Sequence, residues 1–169
     1  MELEVFWKLI DSARKSSGGD GDELCSLLQS KLIKRDPADI VAFKHHLDTL
    51  MARAYTWDLW AAAYVINGGC SDDGFEYFRA WLISRGSTTF EKALANPDSL
   101  ASLRGLEPDE CELESLIYAA AEAYEEAAES ELPESKVKRP SKPAGTRWSE
   151  EGDDLSKRVP KLWKKFGEG

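Results

Sequence analysis

Residues 55–79 read YTWDLWAAAYVINGGCSDDGFEYFR and join a strongly apolar segment to a polar turn rich in glycine and aspartate. Residues 57–66 are apolar around the whole helical wheel except at Asp58, which predicts a central helix with neighbours on all sides. The turn, residues 68–75, is called the elbow below. Its glycines can end the first helix and Ser71 can cap the second, so the stretch predicts two consecutive core helices.

Helical signals continue on both sides of this stretch. From Ile40 to Tyr64 the apolar residues are spaced alternately three and four apart, and no alternating β-branched run bounded by turns is present. Thr56 can cap a new helix, so we predict a break near Tyr55 rather than one long helix. The sequence therefore predicts an all-α fold, a compact single-domain bundle of about six to eight helices.

Capping residues and prolines suggest further helix boundaries. We expect Asp22 to cap the second helix and Pro97 to start a short one. The helix after Ser71 should run over residues 72–84, and the last helix of the body over about 109–129.

Charge and composition exclude several classes of function. The 169 residues contain 31 acidic and 22 basic side chains, giving a formal charge of −9, which argues against nucleic acid or anionic membrane as a partner. No apolar run approaches the ~20 residues of a membrane span, and the first residues lack the pattern of a signal peptide. We therefore expect a cytoplasmic protein in which Cys25, Cys70 and Cys111 are reduced thiols.

The chain divides by composition into three parts. Residues 1–130 form the predicted helical domain and carry a charge of −12, whereas residues 131–169 carry +3. Residues 131–150 are rich in proline, serine and lysine and are predicted to be a linker. Residues 151–169 form a basic amphipathic tail, which we expect to dock on the body.

The last helix of the body has an acidic face without basic residues at the usual helical pairing distance. We call this set the acidic face and predict that it binds a partner: Glu112, Glu114, Glu122, Glu125, Glu126 and Glu129. We expect basic side chains from outside this helix to balance the negative charge of the acidic face, and the tail is the candidate within the chain.

A cluster of polar residues surrounds the elbow: Asp58, Asn67, Asp72, Asp73 and Arg79. Arg79 falls among apolar positions on its helix, so we expect one of the three aspartates to pair with it. Their oxygens could also bind Mg²⁺ or Ca²⁺. Because helix capping and an ion pair explain the same residues and no calcium-loop motif is present, we predict neither a metal nor a cofactor.

Other reactive or aromatic residues have ordinary structural explanations. Cys70 precedes a helix N-terminus, where a thiol can be activated, but nothing in the sequence places His45 or His46 beside it. Because the histidines are adjacent, we expect one to pack and the other to be exposed. One set of aromatic residues could line a ligand pocket, but their helical spacing favours the core: Tyr55, Trp57, Trp60, Tyr64, Tyr77 and Trp81. The tryptophans near the ends of the chain are expected to be docking anchors: Trp7, Trp148 and Trp163.

The elbow and its surroundings resemble a known family. The segments that carry the resemblance are WDLW at 57–60, INGGCSDDGF at 66–75, YFRAWLI at 77–83 and YAAAEAY at 118–124. They are similar to an uncharacterised bacterial family, domain of unknown function 4240, over about residues 1–130. The resemblance implies a small helical cytosolic domain and supplies no catalytic residues.

Three functions remain open at this point. The favoured one is a non-catalytic protein-interaction or regulatory module that binds a protein partner through the acidic face or the elbow; a basic partner would suit the acidic face. The alternative is a small metal-assisted hydrolase with its site at the elbow, using Asp58, Asp72, Asp73 and Arg79. The third is a self-associating protein in which the tail of one chain docks on another.

Overall fold

The computed structural model describes residues 1–167, and within them the chain forms helices and no β-strand. The predicted all-α fold is confirmed. The helices are α1 (Leu3–Ser16), α2 (Gly21–Leu32), α3 (Pro37–Arg53), α4 (Trp57–Asn67), α5 (Asp72–Ser84), α6 (Ser87–Ala95), a 3₁₀ helix (Pro97–Ser102), α7 (Ser115–Ala128), α8 (Asp154–Arg158), α9 (Pro160–Leu162) and a closing π-helical turn (Trp163–Gly167). None of the helices in this range combines the length and apolar character that crossing a membrane requires.

Helix α4 begins and ends where its sequence predicts. The Thr56 hydroxyl accepts a hydrogen bond from the Leu59 amide at 3.1 Å, and Gly68 ends the helix with φ 65°. A second N-terminal amide, that of Trp57, donates to the Ala144 carbonyl at 2.9 Å. The linker thus supplies part of the cap of α4. Six residues of α4 are buried, as expected of a central helix: Leu59, Ala61, Ala62, Ala63, Val65 and Ile66.

Two predicted boundaries were wrong. Asp20, not Asp22, caps α2, and its side chain accepts from the Glu23 amide at 2.8 Å. The last body helix begins at Ser115 rather than near 109: Asp109 has φ 65°, a left-handed conformation, and the Leu113 amide donates to the Tyr77 carbonyl at 3.0 Å rather than within a helix. The short helix at Pro97 is 3₁₀ rather than α.

The core is formed by side chains from every long helix. Helix α7 packs against α2, α3 and α5, and α1 packs against α2. Phe6, Phe43, Phe75, Phe78 and Phe90 are fully buried at the centre of this packing. Burial of one such side chain stabilises a fold by about 1.5–3 kcal/mol, so the aromatic centre is a major source of stability.

The tail lies against α4 and the 3₁₀ helix. Leu155, Val159 and Leu162 are buried there. The carboxylate of Asp98, itself 5 % exposed, accepts from the backbone amides of Lys161 at 3.0 Å and Leu162 at 2.9 Å. From the sequence, we expected the tail to dock on the acidic face. The structure differs because apolar anchors and a buried carboxylate acceptor, rather than net charge, determine where the tail packs.

Candidate functional site

The elbow is a tight junction between α4 and α5. The Ser71 hydroxyl accepts from the Gly74 amide at 3.1 Å and so caps α5 as predicted. The indole Nε1 of Trp60 donates to the Cys70 carbonyl at 3.0 Å. A Cβ at position 74 would lie 3.2 Å from the Glu112 carboxylate and 3.3 Å from the Ser71 hydroxyl, so glycine there lets the chain before α7 approach closely.

Arg79 binds carbonyl oxygens rather than the expected aspartate. Its Nη1 donates to the Met51 carbonyl at 2.8 Å and its Nε donates to the Phe75 carbonyl at 3.3 Å. The guanidinium carbon lies 4.6 Å from the ring centroid of Tyr55 and 5.0 Å from that of Phe75. Burial lowers the pKa of Arg79 from its usual value.

The position of Met51 explains why a carboxylate is not required. Helix α3 ends at Arg53, so the Met51 carbonyl is one of its last four, which lack partners within the helix. The C-terminus of a helix also carries partial negative charge. Arg79, on α5, therefore caps the C-terminus of α3, and the partial negative charge of that helix end balances the guanidinium. The predicted ion pair between Arg79 and an aspartate was wrong.

A cavity of about 250 Å³ lies beside Arg79. We call it the Arg79 cavity, and its charged lining residues are Asp48, Asp72, Asp73, Glu76, Arg79 and, from the linker, Arg139. Asp48 is 8 % exposed and binds Lys44 with one carboxylate oxygen, while its other oxygen has no partner. Asp72 and Asp73 are exposed in the first turn of α5, where their charge favours the helix.

The two remaining members of the predicted polar cluster are not among the lining residues of this cavity. Asp58 pairs with Arg158 of the tail at 3.0 Å. The side-chain oxygen of Asn67 accepts from the Asp109 amide at 3.3 Å, and its buried Nδ2 has no partner. Within residues 1–167 no three His, Cys, Asp or Glu side chains are grouped so that they could hold a metal ion. The five residues predicted as one cluster therefore lie in three separate places: three line the Arg79 cavity, Asp58 pairs with the tail, and Asn67 contacts Asp109.

The cysteine and histidine side chains lie in different surroundings. Burial, with a contribution from Glu112, raises the pKa of Cys70 to about 12, which makes the thiol a poor nucleophile at neutral pH. His46 hydrogen-bonds through Nε2 to the Met1 carbonyl at 2.9 Å, while His45 is exposed, as predicted. Both histidines line a cavity with residues 132–136, whereas Cys70 lines a different one.

All six glutamates of the acidic face are exposed, but only Glu122, Glu125 and Glu126 lie within α7, because Glu112 and Glu114 precede the helix and Glu129 follows it. Glu114 accepts from the Tyr77 hydroxyl at 3.0 Å, which raises the pKa of Tyr77 to about 12, and Glu122 accepts from the Gln29 amide. No salt bridge links the six to a basic side chain in the part of the chain described here. Tyr118 lies within the same face and is 51 % exposed.

A further concave surface contains three of the aromatic residues that the sequence offered for a ligand pocket but favoured as core residues: Trp57, Trp60 and Tyr64. We call it the aromatic cleft; it has a volume of about 670 Å³ and is lined by Trp57, Trp60, Tyr64, Cys70, Arg147, Trp148, Ser149, Glu150, Glu151 and Asp154. The rings of Trp57 and Trp60 are stacked, with centroids 5.2 Å apart, and Trp148 stands edge-on to both. Helical spacing suggested core positions for Trp57 and Trp60, and nothing in the sequence indicated that Trp148 would join them.

Together these features describe a small all-α domain with an acidic helical face and a linker and tail packed around it. Comparison with known families gives the same class more specifically. Residues 1–126 match the family described as a protein of unknown function, DUF4240, and the chain belongs to that family. The resemblance carried by the elbow motif is thereby confirmed. No curated protein and no solved structure matches the chain.

Proposed function

We propose that the protein is a non-catalytic interaction module that binds a basic protein segment through the acidic face. The observation that carries the proposal is the uncovered state of this face. Its glutamates are exposed and form no salt bridge within residues 1–167, and the basic tail packs on α4 and the 3₁₀ helix instead. A basic partner would supply the missing counter-charge.

The direction of α7 adds to this argument. Glu122, Glu125 and Glu126 lie in its second half, and its last turn contains no basic residue. Negative charge is unfavourable near the C-terminus of a helix, so a lysine or arginine of a partner would relieve both side-chain and helix-dipole repulsion. Tyr118 offers an aromatic anchor in the same face, a residue type that commonly dominates interface energy.

Binding of a fluorescent lysine- and arginine-rich peptide, followed by anisotropy at several salt concentrations, tests the proposal. The test variant carries four substitutions, Glu122→Gln, Glu125→Gln, Glu126→Gln and Glu129→Gln. The control has the same change in net charge at other exposed positions, Glu2→Gln, Glu4→Gln, Glu23→Gln and Glu107→Gln. We expect at least a tenfold loss of affinity in the test variant alone. Equal losses in both would mean that only net charge attracts the peptide.

A reducing compartment fits this role. Cys25, Cys70 and Cys111 are free in the structure, and cytoplasmic proteins keep their thiols in that state. We therefore propose a cytoplasmic module.

The metal-assisted hydrolase remains the alternative: four carboxylates line the Arg79 cavity, although within residues 1–167 no three of them are grouped to hold one ion. It requires several oxygen ligands converging on one ion, and Asp58 is bound to Arg158 instead. Hydrolysis of a phosphodiester or ester substrate with Mg²⁺ or Mn²⁺, abolished by Asp72→Asn with Asp73→Asn, would favour this alternative over the interaction module.

A further inference from the structure

We propose that the aromatic cleft binds a quaternary ammonium group, such as the trimethylammonium of choline or of a trimethylated lysine side chain. Three indole rings and the Tyr64 ring line the cleft. The faces of such rings carry negative electrostatic potential and attract cations that cannot donate hydrogen bonds. This site is separate from the acidic face and does not depend on the function proposed for it.

The walls of the cleft are held in place before any ligand binds. The Trp60 indole donates to the Cys70 carbonyl at 3.0 Å, and the Trp148 indole donates to the Trp57 carbonyl at 2.8 Å. Both N–H groups are therefore satisfied within the protein. The ring of Trp60 is also stacked on Phe75, with centroids 4.9 Å apart. Because Trp60 stacks on both Trp57 and Phe75, the ring faces left for a ligand are those of Trp57, Trp148 and Tyr64, and these need little ordering on binding.

The chain itself already places a cation on one wall. The guanidinium carbon of Arg147 lies 5.5 Å from the Trp57 ring centroid. Arg147 is exposed and comes from the linker, so its side chain can be displaced without loss of a buried contact. We infer that Arg147 occupies the position of the external cation and competes with it.

Carboxylates at the rim provide the charge complement. Glu150 and Glu151 are exposed beside the rings, and Glu150 accepts from the Tyr64 hydroxyl at 3.0 Å. Asp154 is less available because it binds Arg158 and the Ser149 amide. Aromatic walls with a carboxylate rim match a compact, weakly hydrated cation better than a neutral or anionic ligand.

Titration of the full-length protein with choline chloride, followed by NMR of the indole N–H signals, tests the proposal. The neutral carbon isostere of choline, 3,3-dimethyl-1-butanol, has the same shape without the charge. We expect choline, and not the isostere or an equal concentration of sodium chloride, to shift the signals of Trp57, Trp60 and Trp148. Equal shifts with choline and the isostere, or no saturable shift with choline, would overturn the proposal.

Two variants locate the binding site. Arg147→Ala removes the competing cation and should tighten choline binding several-fold. Glu150→Gln with Glu151→Gln should weaken it several-fold, while Glu2→Gln with Glu23→Gln, the matched change at exposed glutamates outside the cleft and the acidic face, should leave it unaltered. If Arg147→Ala has no effect on affinity, the cleft is not the site and the proposal fails.

A third experiment distinguishes the two possible sources of the ammonium group, a protein side chain and a small molecule. A short peptide containing trimethyllysine is compared with its unmethylated form and with free choline. Tighter binding of the methylated peptide than of choline would assign the cleft to a protein ligand, and the reverse order to a small molecule; each supports the ammonium site. Binding of the unmethylated peptide as tight as that of the methylated one would contradict it.

Discussion

Arg158 of the tail places its Nη1 3.0 Å from Oδ1 of Asp58 on α4, although the two residues are 100 positions apart in the chain. The same guanidinium reaches Asp154 through Nε at 3.1 Å and the Arg147 carbonyl through Nη2 at 3.1 Å. Only 18 % of the Arg158 side chain is exposed, whereas 67 % of the Asp58 side chain is. One arginine thus joins the tail, the linker and the central helix.

A double-mutant cycle of Asp58→Asn and Arg158→Gln should give a measurable coupling energy in urea unfolding. We expect about 0.3–1 kcal/mol, because the aspartate is largely exposed and solvent screens the pair. The same cycle with Arg79→Gln in place of Arg158→Gln should give a coupling near zero. A substantial coupling between Asp58 and Arg79 would restore the ion pair predicted from the sequence.

Asp98→Ala should detach the tail. The substitution leaves the amides of Lys161 and Leu162, of which that of Leu162 is buried, without their acceptor, at a cost of about 1–3 kcal/mol. Faster hydrogen exchange at residues 155–163, with little change at α2, would be the specific sign. Asp98→Asn keeps one acceptor oxygen, so its exchange rates at residues 155–163 should lie between those of Asp98→Ala and those of the unsubstituted protein. An unchanged exchange pattern in Asp98→Ala would show that the apolar anchors suffice.

Arg79→Met should destabilise the protein by about 1–3 kcal/mol in urea unfolding, because the Met51 carbonyl at the end of α3 loses its donor. Arg79→Lys should recover part of this loss, since one ammonium can reach one carbonyl but cannot reproduce the planar fork. Arg104→Met, at an exposed arginine, is the control and should cost little. Similar losses at positions 79 and 104 would argue against the capping role.

The alkylation rate of Cys70 should rise about tenfold per pH unit from pH 8 to beyond pH 10. Its pKa is raised to about 12, so the reactive thiolate is a small fraction of the thiol until the pH approaches that value. Glutathione alkylation should level off earlier, near the ordinary thiol pKa. Mass spectrometry of a Cys25→Ala, Cys111→Ala variant isolates the reaction of Cys70. A plateau below pH 9 would indicate an activated thiol instead.

The sequence predicted local structure well where one residue type signals one conformation. Thr56 and Ser71 as N-caps and Gly68 as a left-handed C-terminal residue all lie where the structure has them. Each of these signals acts within four residues and needs no knowledge of the rest of the fold. The type and order of the core helices were accordingly predictable.

The starts of α2 and α7 were local errors, whereas the errors in the candidate site concern partners that are distant in the chain. Arg79 donates its hydrogen bonds to backbone carbonyls rather than to a carboxylate. No residue pattern in the sequence indicates that a carbonyl at the end of a distant helix will be its partner. Asp98 likewise accepts from amides more than sixty positions away, so its role in holding the tail could not be inferred. The sequence could offer Trp57 and Trp60 for a pocket but not the wall formed by Trp148, because Trp148 meets Trp57 only in the folded chain.

The contact between Trp148 and Trp57 has a consequence for the order of events during synthesis. Trp148 follows Trp57 by 91 positions, so a ribosome completes α4 well before the residue that covers it. Until then the nascent domain presents the Trp57 and Trp60 indoles to water, where chaperones or other nascent chains can contact them. A ribosome stall between these positions would leave the cleft without its last wall, and the time taken to translate the 91 residues up to Trp148 sets how long that wall is missing.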